Sequence, residues 1–225
     1  FSGYYSEPEK LISDIKAYDG YGIYATINAA KESCAGRTQH EQIVARPKAT
    51  TSDPDIDYRT TLLIDLDPIR PSDTNSTDAE KQRALETARK IYKYLSDQGF
   101  ERPVVADSAN GYHIYYRIYL ANNDENTALI KNFLQVLDML FSDEVVSVDT
   151  TVFNASRIGK IIGTKSNKGT DTPERPQRQS FFMTVPREFR VVDKAYIQKV
   201  ADLLPKPEQP NRYNGYSTER FDIRS

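Results

Sequence analysis

The chain has 225 residues, 38% hydrophobic and 11% aromatic, with a formal net charge of −2. That length holds one sizeable core, or two small lobes sharing a cleft. No apolar run of about eighteen residues suggests a membrane span, and no charged-then-apolar leader suggests secretion. A single cysteine (Cys34) and two histidines (His40, His113) exclude an internal disulfide and a thiolate or multi-histidine zinc site. A divalent metal would then need carboxylates, which favours Mg²⁺ or Mn²⁺.

Ser6 and Pro8 open a short helix with Leu11, Ile12 and Ile15 on one face. A strand is expected over 22–28, followed by an aperiodic stretch over 30–57 that reads as a long loop. The next strand covers 61–67. Thr77 and Glu80 then form a capping box, and Ala84, Ala88, Ile91 and Leu95 follow at helical spacing until Gly99. Strands over 102–107 and 112–120 flank a turn containing Asn110-Gly111. A helix over about 126–141 turns Ile130, Phe133, Leu134, Leu137 and Phe141 inward. Strands at 145–149 and 180–185 bracket a second aperiodic stretch over 165–179, and a last helix starts near Asp193 with Ile197, Val200 and Leu204 inward. Helices and strands mix without regular βαβ alternation, which predicts an α+β fold with a largely antiparallel sheet. Residues 1–204 read as one domain. Residues 205–225 read as a polar, Pro-containing tail or linker, and both termini as cuts in a longer polypeptide.

The chemistry concentrates at the ends of strands. In Leu62-Leu63-Ile64-Asp65-Leu66-Asp67-Pro68, alternation puts Asp65 and Asp67 on one face and Leu62, Ile64 and Leu66 on the other. Side-by-side carboxylates repel unless a cation lies between them. Alone, the pair also reads as two solvent-facing aspartates on a half-exposed strand. Asp149 closes another apolar strand, and three convergent carboxylates would suit a two-metal phosphoryl-transfer centre. His113 shares its strand face with Tyr115, Arg117 and Tyr119, with Ser108 across the turn. A hydroxyl and an imidazole placed so could bind phosphate oxygens, although a surface histidine beside a tight turn fits equally. From 157 to 190 there are eight Lys/Arg against three acids, a local excess suited to a polyanion. The Gly-, Thr- and Lys-rich run 157–169 supplies backbone N–H groups and cations without P-loop spacing, and reads otherwise as a solvated basic loop.

Taken together, residues 22–186 resemble the archaeo-eukaryotic primase superfamily, in particular the primase-polymerase domains of plasmids, phages and mobile elements. The resemblance rests on ordered blocks: Ile23-Tyr24-Ala25-Thr26-Ile27-Asn28; Ile64-Asp65-Leu66-Asp67-Pro68 with Arg70-Pro71; and Asp107-Ser108-Ala109-Asn110-Gly111-Tyr112-His113. Val148-Asp149 follows, through Asn154, Arg157, Lys160, Gly163-Thr164 and Lys168-Gly169 to Glu174-Arg175-Pro176. It implies an RNA-recognition-motif-like catalytic sheet with a smaller N-terminal α/β lobe. It further implies that Asp65, Asp67 and Asp149 hold two Mg²⁺ or Mn²⁺ ions, and that Ser108 and His113 contact a nucleoside triphosphate whose phosphates Arg157, Lys160 and Lys165 neutralise. Lys168, Arg175 and Arg178 would meet a single-stranded DNA template, with or without a primer. A fused or associated helicase or replication module and a cytoplasmic setting in a microbial, phage-infected or plasmid-bearing cell follow from the same resemblance. One position departs from the family: Ala109 stands where glycine is usual, and would be strained if the turn needs positive φ. The expected activity is template-dependent nucleotidyl transfer. The alternatives are a metal-dependent nuclease and a catalytically idle single-strand binding module, with a nicking initiator disfavoured by the lack of paired histidines.

Overall fold

The computed structural model describes residues 1–205, so the expected tail over 206–225 lies outside the described residues. The chain folds as α+β. Strand β1 (Tyr24–Thr26) is followed by β2 (Tyr58–Pro68), β3 (Val104–Asp107), β4 (Tyr112–Ala121), β5 (Val146–Val148), β6 (Ile158–Lys160) and β7 (Phe181–Thr184). Five of them form a sheet in the order β5-β2-β4-β3-β7, and β1 pairs with β6 in a separate two-stranded sheet. All pairings are antiparallel.

Helix α1 (Pro8–Ile15) precedes β1, and α2 (Asp78–Asp97), α3 (Asp124–Phe141) and α4 (Lys194–Ala201) follow β2, β4 and β7. The capping box at α2 forms as the sequence implies: the Glu80 N–H donates to Thr77 Oγ1, and the Thr77 N–H to Glu80 Oε2. Asn123 and Asp193 cap α3 and α4 through Asn126 N–H and Ala195 N–H. Ala84, Ala88, Ile91 and Leu95 of α2 and Ile130, Phe133, Leu134 and Leu137 of α3 are buried against Ile64, Leu66, Ile114 and Tyr116. This apolar face of the sheet is the core, and α4 packs on the outside of α3. None of the described helices is long and apolar enough to cross a membrane.

The opposite face carries Asp65, Asp67, His113 and Tyr115 and is approached by the two-stranded sheet. Gly159 of β6 lies over Tyr115, where a Cβ would stand 3.6 Å from the tyrosine hydroxyl. Asn28 ties the two sheets together. Its Oδ1 accepts the Thr60 and Thr61 N–H groups at 2.7 and 3.1 Å, where the β2 register slips, and its Nδ2 donates to Ala155 O at 2.8 Å. Asn28 is buried, so Asn28→Ala strands two backbone donors and should cost about 2 kcal/mol, measurable by urea denaturation.

The stretch over 30–57, expected as loop, contains two 3₁₀ turns at Glu32–Arg37 and Asp53–Asp55. The bidentate Arg37–Asp55 pair links them, at 2.6 Å for each bond.

Candidate active site

The site grows from the alignment of β2 with its two neighbours. Asp65 stands opposite His113 in the β2–β4 ladder, and His113 Nε2 lies 3.2 Å from Asp65 Oδ1. The other ring nitrogen, Nδ1, meets the Tyr115 hydroxyl at 2.7 Å, so both edges of the imidazole are fixed. On the other side of β2, the Asp149 N–H donates to the Asp65 carbonyl at 2.9 Å. Asp149 therefore ends β5 directly beside the acid pair. Its carboxylate is turned aside, accepting the Thr151 N–H at 2.7 Å and lying 4.0 Å from the Arg157 guanidinium. Among the described residues, no group of three or more His, Cys, Asp or Glu side chains gathers closely enough to hold a metal ion.

The charges on this face are frustrated in a definite way. Burial and then the neighbouring Asp65 charge hold the Asp67 carboxyl above the ordinary carboxylate range, although Arg70 lies 3.4 Å away. Burial acts the same way on Asp65, but His113, Lys168 and Arg157 outweigh it and hold Asp65 low. Burial opposes the charging of His113, and Asp65 overcomes it, so the imidazole is raised. Tyr24 is raised by burial and by both aspartates, which places β1 against the same centre. Lys160 is lowered by burial and by repulsion from Lys168, and lies over the Tyr24 ring. Two carboxylates thus press on each other beside two ammonium groups that do the same. A divalent cation would relieve the repulsion between Asp65 and Asp67, but Asp149 would have to leave Thr151 to complete a three-carboxylate set.

The turn beside these acids is a four-residue loop, 108–111, closed by the Ser108 N–H donating to Gly111 O at 3.0 Å. Its positive φ falls on Ala109, at 83°, and not on Asn110 or Gly111. Gly111 is required for another reason: a Cβ there would collide with the Leu66 carbonyl and come within 2.7 Å of Asp67 Oδ1. Ser108 is buried, with its Oγ accepting the Gly111 N–H at 3.1 Å. Because Ala109 bears backbone strain, Ala109→Gly should leave stability unchanged or raise it by up to about 1 kcal/mol. The same exchange in a regular element loses about that much, and a thermal melt distinguishes the two.

The loop is anchored from below. Asp107 accepts the Ala109 N–H at 2.7 Å and binds the buried Lys81 of α2 at 2.6–2.7 Å. Asn110 accepts the Ser76 N–H at 2.9 Å and donates to Ser166 Oγ at 2.8 Å, joining the loop to the basic segment.

That segment divides its arginines and lysines between two tasks. Arg175 forms a fork on Glu80 at 2.8 and 2.9 Å and also donates to Asn75 O. Arg178 donates to Ser76 O and Asp78 at 2.6 Å. Both guanidiniums fasten the segment to the start of α2, whereas Lys168, expected beside them, is exposed, and its charge favours the ionised forms of Asp65 and Asp67. Lys165 has an exposed side chain and offers its carbonyl to Lys160 Nζ at 2.8 Å. Arg157 donates to Thr151 Oγ1 at 2.7 Å beside Asp149. Tyr24, Tyr115, Lys81 and Asp107 are site residues that the sequence does not single out, although Tyr24 and Asp107 stand in the ordered blocks and Tyr115 shares the strand face of His113.

Fold and site define an α+β domain with paired carboxylates and paired lysines meeting between a five-stranded and a two-stranded antiparallel sheet. No protein-family model and no curated protein matches the sequence. Among solved structures, the chain is similar to the crystal structure of primase RepB′ at 13% identity and a TM-score of 0.35, over 70% of this chain and 42% of that one. The chain spans less than half of that protein's length, and at that score the likeness adds nothing to the chemistry of the site.

Proposed function

We propose that the chain is the catalytic domain of a template-dependent nucleotidyltransferase of the primase-polymerase type, extending a nucleic-acid 3′-hydroxyl from nucleoside triphosphates with release of pyrophosphate. The observation that carries this reading is the Asp65/Asp67 pair on one face of the five-stranded sheet, with Asp149 at the end of the neighbouring strand and the two-stranded sheet that carries Lys160 laid over that face. The ordered sequence blocks that resemble the archaeo-eukaryotic primases support it.

Two divalent ions, Mg²⁺ or Mn²⁺, on Asp65, Asp67 and Asp149 would activate the attacking oxygen and offset charge on the leaving group. The chain itself supplies position and charge. Lys160 and Lys168 receive triphosphate oxygens, with Arg157 and Lys165 at the margin. His113, with Nε2 3.2 Å from Asp65 and Nδ1 on the Tyr115 hydroxyl, is held in place beside the carboxylates. Ser108, in the turn beside Asp67, would contact the triphosphate from the same side. A single-stranded DNA template, with or without a primer, and a linked replication module are the partners this reading requires.

The deciding experiment offers primed and unprimed single-stranded templates with each nucleotide set and Mg²⁺ or Mn²⁺, and measures product length. Chelation should abolish extension. Lys168→Ala should raise the nucleotide KM about tenfold and change kcat less, since it removes ground-state phosphate binding. A catalytically idle binding module is the second reading, favoured by the engagement of the Asp149 carboxylate with Thr151 and Arg157. It predicts template binding that is indifferent to chelator and no product in any lane.

A further inference from the structure

The five-stranded sheet is covered unevenly. Helix α2 packs chiefly on β2, β4 and β5 and covers the β3–β7 end less closely. There the sheet and α2 enclose a groove of about 880 Å³, with Leu85, Ala88, Val105, Ile114, Met183 and Val185 along its walls. Strand β7 is the last of its sheet, and among the described residues its backbone pairs only with β3. Its side chains are open on both faces: Phe181, Phe182 and Met183 are 53%, 54% and 41% exposed.

Edge strands of this composition are normally blunted by lysine, proline or a covering element, because a free row of N–H and C=O groups templates another strand. Within β7 there is neither lysine nor proline. The rim of the groove is basic. Arg89, Arg102 and Arg187 are exposed and make no ion pair or side-chain hydrogen bond among the described residues, whereas Arg190 is paired with Glu188 at 2.8 Å.

We propose that this end of the molecule is a docking surface for a partner protein. An extended peptide with a strand segment flanked by acidic residues would add to β7 as a sixth strand, its groove-facing apolar side chains entering the groove and the flanking carboxylates meeting the three arginines at the rim. The backbone ladder would supply affinity, and the order of apolar and acidic residues specificity. A nucleic-acid strand would find the arginines but has no amide ladder to satisfy the edge. A second copy of this chain would bring no acidic residue within β7 to meet the arginines. An acidic peptide alone fits the edge, the groove and the rim together. The proposal does not depend on the reading of the acid centre, which lies on the opposite face of the sheet.

The test is a titration of the ¹⁵N-labelled chain with a synthetic peptide of about nine residues, alternating valine and threonine in the middle with two glutamates at each end, long enough for one strand. Saturable amide shifts at 181–185, with slowed hydrogen exchange there, are expected. Arg102→Glu and Arg187→Glu should each weaken binding about tenfold, and Met183→Asp should abolish it. All three positions are exposed, and unchanged melting curves would certify the fold. The same peptide with lysines in place of the glutamates should leave the same amides unmoved. No saturable shift at β7, or equal binding of the basic peptide, overturns the proposal. So do stronger shifts of these amides by oligothymidylate, which would assign the surface to nucleic acid. Shifts that grow with protein concentration alone, which would assign it to self-association, also overturn it.

Discussion

Asp65→Ala should lower primer extension by at least about a hundredfold, the scale on which loss of one preorganised charge-stabilising group acts. The reason lies in how many contacts meet at this residue. Its carboxylate holds His113 at 3.2 Å, its carbonyl receives the Asp149 N–H at 2.9 Å, and its charge raises Asp67. The backbone contact survives in the alanine variant, so β2 and β5 stay paired. Removing the charge also relieves Asp67, so the fold should tolerate the change well. What disappears is a carboxylate of the proposed cation site and the charge that raises His113. Activity and stability should therefore separate: extension lost, thermal melt nearly unmoved. Extension at the parental rate would show that the acid pair is not the reacting centre. Loss of template binding in parallel would shift the site from chemistry to recognition.

The parts of the molecule that were readable in advance are those whose causes are local. The α2 capping box, the helical spacing from Ala84 to Leu95 and the alternation that sets Asp65 and Asp67 on one face all depend on residues a few positions apart. That Asp149 ends an apolar strand is a local pattern too, but its position beside Asp65 comes from the pairing of β5 with β2, which the sequence left open. What escaped the sequence depends on distance. Strand β6 is three residues, Ile158–Lys160, inside a run rich in glycine and lysine. It becomes a strand only because β1, more than a hundred positions earlier, offers it an edge. The arginines and lysines of the basic segment look alike in sequence, yet Arg175 and Arg178 find Glu80 and Asp78 while Lys168 stays exposed. A charge run records how many cations are present. Which of them become fasteners is settled by where α2 begins in space. The strain at Ala109 is an intermediate case: the departure from glycine was visible, but the sign of φ was not.

Lys81→Met should cost about 3–5 kcal/mol in urea denaturation, as breaking one half of a buried ion pair usually does. Both members are enclosed: the Lys81 and Asp107 side chains are 11% and 7% exposed, and the ammonium bonds both carboxylate oxygens. Methionine preserves the aliphatic volume, so the loss falls on the stranded Asp107 charge rather than on packing. The double variant Lys81→Met/Asp107→Asn tests this, because the asparagine carbonyl can still accept the Ala109 N–H while carrying no charge. It should recover most of the loss and sit within about 2 kcal/mol of the parent. If the double variant is instead less stable than Lys81→Met, the pair acts through geometry and not through charge. The consequence for the site follows along the chain. Asp107 restrains the strained Ala109, Ala109 shapes the 108–111 loop, and Gly111 of that loop abuts the Leu66 carbonyl next to Asp67. Lys81→Met should therefore also raise the nucleotide KM in the extension assay, although Lys81 touches neither acid. The double variant should restore KM together with stability.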